Sequence, residues 1–167
     1  MSRHGFQIEQ IEVGDVSVLR ISGIVDEHAD MTLISGNTES PLWLDVEGIG
    51  RINSLGVHTW SRAMSGIAAE VPVYFFRCST AMVEQFNQVL GLVSHARIVS
   101  FHAPLICENC DEPLAPIFMT ADCLAQGGRL PVTLCPTCEQ PMLLDDLEDY
   151  FLRFLQLPHD DLPAPPY

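Results

Sequence analysis

Two Cys-x-x-Cys pairs, Cys107/Cys110 and Cys135/Cys138, stand 24 residues apart in the last third of the chain. Two intervening residues let the backbone close a tight knuckle that turns both sulfurs toward one centre. Four such thiolates meet the tetrahedral demand of a structural zinc ion. The segment that carries them, residues 105–140, also holds Pro113, Pro116, Pro131, Pro136 and the pair Gly127-Gly128. So short a stretch buries too little apolar surface to fold unaided, and metal binding, worth about 10–16 kcal/mol in peptides, would make up the difference. Within it Ile117-Phe118-Met119 and Leu130 to Leu134 read as short ribbon strands.

The remaining cysteines narrow the chemistry. Cys78 follows the apolar run VPVYFF and reads as a buried strand-end residue. Cys123 has no nearby Cys or His to make it a fifth ligand. One CxxC pair, or Cys123, would suit a thiol redox protein, but two pairs at ribbon spacing favour a structural metal. Four cysteines close the coordination shell and no HExxH helix is present, so catalysis at the metal is not expected. Six cysteines beside a start, MSRHGFQIEQ, that lacks a signal-peptide pattern predict a reducing, cytoplasmic setting. No apolar run approaches the ~18–20 residues that span a bilayer.

The formal net charge is −14, and all eight basic residues are arginines. Such a surface repels a phosphate backbone, so nucleic-acid binding, the alternative that a zinc ribbon invites, is not expected. Acidic excess keeps a protein soluble and can steer basic partners.

Ahead of the cysteines the pattern alternates. Residues 6–22 read as a hairpin turning at Gly14-Asp15. Asp26 is placed to cap a short helix reaching Ser35. Leu42 to Val46 reads as a strand, followed by a glycine turn at Gly48-Ile49-Gly50. Val57, Trp60, Met64, Ile67 and Ala68 then recur at helical spacing, with Ser61, Arg62 and Ser65 opposite. Val71 to Phe76 suits a central strand; Ser79 or Thr80 caps a further helix; Arg97 to Phe101 closes the series. The order ββαβαβαβ predicts an α/β fold, a mixed sheet with packed helices, over residues 1–104. After the cysteine module, residues 141–157 show one apolar stripe (Leu143, Leu147, Tyr150, Phe151, Phe154, Leu155) and predict an amphipathic helix. Asp149 and Arg153 would pair on it. That helix could alternatively drive self-association. Residues 158–167 read as a flexible tail.

One stretch carries more than fold information. In LDVEGIGRINSLGVHTW, Leu44 to Trp60, a strand and a turn lead through Asn53-Ser54-Leu55-Gly56 straight into a helix. Ser54 sits where an N-cap belongs. The stretch resembles the STAS domain of bacterial anti-sigma factor antagonists, in which Asp-Ser-Ser/Thr-Gly opens a helix and the first serine is phosphorylated by a partner kinase. Asp45, Gly48, Ser54 and Gly56 match that pattern; Asn53 and Leu55 depart from it. Gly23-Ile24-Val25-Asp26 is similar to the family's Gly-x-Leu-Asp. The resemblance covers roughly residues 6–104 and implies a STAS-like domain bearing a zinc-ribbon-like module. It also implies a partner that is an anti-sigma factor or serine kinase and a phosphosite at Ser54. Asn53, Ser54, His58, Ser61, Arg62 and Ser65 are then the candidate contact residues. The six histidines are scattered without an acid or nucleophile at a recognisable spacing, and no Walker-type loop occurs. The sequence therefore points to a non-enzymatic, cytoplasmic regulatory or scaffolding protein.

Overall fold

The computed structural model describes residues 5–167, so His4 lies outside it. Gly14, at φ +61°, supplies the positive dihedral that a two-residue hairpin loop needs. Strand β1 (Gln7–Val13) thereby folds back antiparallel on β2 (Val16–Val25), from Val13 opposite Val16 to Gln7 opposite Ser22. From β2 onward each strand lies parallel to the one before it: β3 (Leu42–Ile52), β4 (Val73–Phe76) and β5 (Arg97–Ile98). The connections carry helices α1 (Thr32–Ser35), α2 (Ser54–Ser65) and α3 (Thr80–Gln88). The architecture is mixed α/β, as the alternating pattern predicts.

Sheet order β1-β2-β3-β4-β5 follows chain order. Every parallel crossover steps the same way, and crossovers share one hand, so their helices fall on one face. Leu42, Leu44 and Val46 of β3 join Val73, Phe75 and Ile98 in the core beneath them. Phe75 stacks on Phe86 of α3 at 5.2 Å and packs against Trp60 of α2 at 5.8 Å. The indole N–H of Trp60 donates to the Leu92 carbonyl at 3.1 Å. The other face holds a smaller cluster, Val18, Trp43, Phe76 and Val99.

Several sequence expectations shift in extent. Gly48 and Gly50 do not form a turn. β3 runs through them, and its register against β2 slips between Arg20/Ser22 and again between Gly23/Ile24, so these glycines sit at bulges of a continuing strand. Asp26 caps no helix; its carboxylate accepts the His28 N–H at 2.9 Å in a local turn, and α1 begins only at Thr32.

Past the sheet, β6 (Ser100–His102) pairs with β9 (Ile117–Met119), so Ile117–Met119 joins the N-terminal part rather than a ribbon. Phe101 and Phe118 meet at 6.1 Å across that pair, and the short helix α4 (Thr120–Ala125) follows. The ribbon itself is β7 (Leu105–Ile106) between β8 (Pro113–Leu114) and β10 (Leu143–Leu144). Residues 130–134 contribute only the isolated bridge from Leu134 to Pro141.

The C-terminal helix is present but short. Leu143 and Leu144 are strand, α5 spans Glu148–Phe151, and a 3-10 turn covers Arg153–Gln156. The interruption has a cause in Asn87 of α3, which is fully buried. Its side chain donates to the Phe151 carbonyl at 2.6 Å and accepts the Phe154 N–H at 2.9 Å, replacing the ladder that a longer helix would use. Asp149 and Arg153 form no ion pair among the described residues. The segment 158–167 lies against the structure: Leu162 packs on the small cluster and Tyr167 stacks on Phe76 at 5.7 Å. One continuous set of buried side chains runs from the helix face of the sheet to Cys107, Cys135, Phe151 and Phe154. No helix among the described residues is long and apolar enough to cross a membrane.

Candidate metal centre and the head of the Ser54 helix

The two cysteine knuckles are built alike. In the first, the Asp111 N–H donates to the Cys107 carbonyl at 2.8 Å, and the Cys107 N–H donates to the Glu112 carbonyl at 3.0 Å. In the second, Glu139 and Gln140 do the same for Cys135, at 2.9 and 2.8 Å. Asp111 and Glu139 take the same left-handed conformation, φ 55° and 59°, which folds each loop back under its first cysteine. Cys107 and Cys135 are buried, whereas Cys110 and Cys138 reach the surface.

All four Sγ atoms lie within 4.8 Å of one another. The closest approaches cross between knuckles: Cys107 to Cys138 at 3.4 Å and Cys110 to Cys135 at 3.5 Å. A tetrahedron with metal–sulfur bonds of about 2.3 Å has sulfur–sulfur edges of about 3.8 Å, within this spread, whereas a disulfide needs about 2.05 Å. The four residues expected to hold a metal are thus brought together in a geometry that fits one. The thiols are also electrically uneven. The Gln140 amide, then the Cys107 thiol, hold Cys138 down to about 6. Contact with Cys135, reinforced by burial, pushes Cys110 up to about 12. Burial raises Cys123 to about 11 and Cys78 further still, so neither is a thiolate near neutrality.

At the other candidate site the cap differs from expectation. Asn53, not Ser54, is the N-cap of α2: its side-chain oxygen accepts the Gly56 N–H at 2.7 Å. Asparagine is as good a cap as aspartate. Ser54 is then the first helical residue, exposed, with its hydroxyl free of hydrogen bonds among the described residues. Ser54, His58, Arg62 and Ser65 are all exposed along the same helix; Ser61 is half-buried and its carbonyl accepts from the Ser65 hydroxyl at 2.8 Å. Leu55, which is exposed too, adds an apolar contact beside them that the motif reading treated only as a mismatch.

The helix head is held by the end of β2. The Asn53 N–H donates to the Val25 carbonyl at 3.1 Å, and a Cβ on Gly56 would stand only 2.0 Å from that same oxygen. The stretches Gly23–Asp26 and Asn53–Gly56, singled out separately in the sequence, therefore meet. Gly56→Ala is expected to destabilise the protein by roughly 1–3 kcal/mol through overpacking, although alanine is the better helix former. A thermal melt unchanged or raised by this substitution would contradict the close approach.

Sequence reading missed a charge network on the small-cluster face. Asp45, 1% exposed, accepts from Arg20 Nε at 3.1 Å and from the Arg77 guanidinium. Arg77 leaves β4 with φ 49° and also pairs with Glu47 at 2.9 Å. Glu47 meets His102 Nε2 at 2.9 Å, whose other nitrogen donates to the Ala115 carbonyl at 2.7 Å. Burial opposes the Arg77 charge, but the hydrogen bond to Asp45 and the charges of Asp45 and Glu47 outweigh it and raise its pKa. Arg20, Asp45, Glu47 and Arg77 line, with Ser22 and Gly48, a cleft of about 330 Å³. The register that sets Arg20 opposite Asp45 assembles the network; no local spacing announces it.

No family model matches the chain, and no curated protein or solved structure matches it either.

Proposed function

We propose that this protein is a non-enzymatic regulator of the STAS type. It binds a protein partner, an anti-sigma factor or serine kinase, through the loop and helix that open at Ser54. The observation that carries the reading is the head of α2. There a solvent-exposed serine hydroxyl, without a hydrogen-bond partner among the described residues, begins a twelve-residue helix directly beside the end of β2. Asn53 already occupies the Gly56 amide, which leaves those of Ser54 and Leu55 free among the described residues. A phosphate on Ser54 would meet those amides and the positive end of the helix dipole. It would also add up to two negative charges one turn from His58 on the same helix, altering what that face binds. The antiparallel hairpin followed by parallel strands and helices in alternation supports the same reading.

In this reading the metal is zinc and its role is structural. An all-sulfur tetrahedral set on two knuckles selects zinc or iron, and a closed mononuclear site suits zinc as a fold staple. Such thiolates persist in a reducing cytoplasm.

The test is affinity capture with mass spectrometry, comparing wild type with Ser54→Asp and Arg62→Glu at equal metal content. A partner lost or weakened about tenfold with Ser54→Asp is expected, a change of about 1.4 kcal/mol. Identical capture by all three proteins would overturn the assignment of this surface. Gel-shift at moderate salt should show no retarded nucleic acid; a sequence-independent shift would transfer the function to the nucleic-acid alternative.

A further inference from the structure

The face of the sheet opposite the helices raises a separate question. Because every crossover falls on one side, Val18, Trp43, Phe76 and Val99 are left for something else to cover. Trp43 packs against Tyr74 at 4.8 Å and edge-on to Phe76 at 5.7 Å, forming an aromatic platform in the sheet. The covering segment is residues 158–167. Leu162 enters the cluster, and the Tyr167 ring stacks on Phe76 at 5.7 Å, with an angle of 30° between the ring planes. The Tyr167 hydroxyl lies 3.1 Å from Ser100 Oγ, which already accepts the Arg77 N–H at 2.9 Å.

The manner of attachment is informative. Four of these ten residues are proline, and Pro163, Pro165 and Pro166 have no N–H with which to extend a sheet. Among the described residues, no main-chain to main-chain hydrogen bond joins 158–167 to the rest of the chain. The segment is held by side chains: Leu162, Tyr167 and the His159 ring, whose Nε2 donates to the Phe154 carbonyl at 3.0 Å. Proline-rich chain on an aromatic surface, fixed by one hydroxyl, is the chemistry by which stiff extended segments are recognised at little ordering cost. An attachment with so few anchors also opens at low free energy.

We propose that this face is a docking surface for extended proline-rich segments carrying a leucine and a tyrosine. In the isolated chain its own residues 158–167 occupy the surface, and a partner segment of the same chemistry displaces them. The surface is distinct from the Ser54 helix and independent of its function.

The experiment uses the full chain and the labelled peptide Asp-Leu-Pro-Ala-Pro-Pro-Tyr, followed by fluorescence anisotropy. Tyr167→Ser changes a residue that is 61% exposed, so folding is not at stake. Leu162→Asp combined with Tyr167→Ser releases the segment more fully. Removing the competitor in cis should tighten peptide binding by roughly tenfold or more over wild type. Trp43 should become accessible to acrylamide in the released variants and be protected again by the peptide, while buried Trp60 stays silent. Trp43→Ala in the Tyr167→Ser background should abolish binding. Released variants that keep native circular dichroism yet bind no better than wild type would overturn the proposal. So would concentration-dependent dimers in sedimentation, which would assign the surface to the segment of a second copy.

Discussion

Stripping any bound metal with a strong chelator, or replacing Cys135 with serine, is expected to unfold the ribbon, residues 105–114 and 130–146, while the five-stranded sheet and the β6–β9 pair survive. The ribbon has little else to hold it. Its strands β7, β8 and β10 are two residues each, far below what stands alone in water. The bound ion would contribute about 10–16 kcal/mol, comparable to a typical domain's whole stability. The sheet is different: Leu44, Phe75, Trp60 and Phe86 belong to a buried cluster supplied mostly by the sheet and its helices, of which Cys107 and Cys135 are only one end. Amide hydrogen exchange separates the two parts. The Cys107 and Cys135 amides, bonded to the Glu112 and Gln140 carbonyls, should lose protection on metal removal. Strand amides of β2 to β4 should keep theirs. Protection retained at Cys107 and Cys135 in metal-free protein would show that the ribbon folds without its ion. Acidification should act in the same direction, since protons compete with the metal for the thiolates.

The four-cysteine cluster is legible because its geometry is local: two residues between cysteines specify a knuckle, and the knuckles need only to meet. The alternation of strands and helices was legible for a similar reason, since period and glycine punctuation act within a dozen residues. What could not be read depends on distant partners. The stripe from Leu143 to Leu155 has helical spacing, yet Leu143 and Leu144 pair with β7 and Asn87 intercepts the backbone at Phe151 and Phe154. Gly48 and Gly50 look like a turn, but the slip of β3 against β2 makes them bulges in a strand that continues to Ile52. Ser54 stands where a cap belongs in sequence, but Asn53 one residue earlier takes that role, its side chain accepting the Gly56 N–H. The proline-rich segment 158–167 reads as a tail from composition alone; only the uncovered aromatic face explains where it goes.

Asp45 carries the second large prediction. Its one carboxylate, 1% exposed, balances two guanidinium groups on the face that no helix covers. Asp45→Asn keeps the shape and removes the charge. Arg77, whose side chain is 25% exposed, is then left with Glu47 alone, and Arg20 loses its counter-ion. Removing one partner of a buried pair costs about 3–5 kcal/mol, and the partial exposure of Arg77 places the expected loss near 3 kcal/mol. Arg20→Gln should cost far less, about 0–1 kcal/mol, because the Arg20 side chain is 44% exposed and its charge is screened. The pair therefore predicts a strong asymmetry from the same hydrogen-bonded contact. Arg77→Gln combined with Asp45→Asn should cost less than the two single changes added together, since the double variant leaves neither the Asp45 carboxylate nor the Arg77 guanidinium without its partner. Urea unfolding followed by tryptophan fluorescence measures wild type and the four variants, and Trp43 reports on the same face of the sheet. Equal losses for Asp45→Asn and Arg20→Gln, or strictly additive losses in the cycle, would mean that Asp45 does not anchor this face.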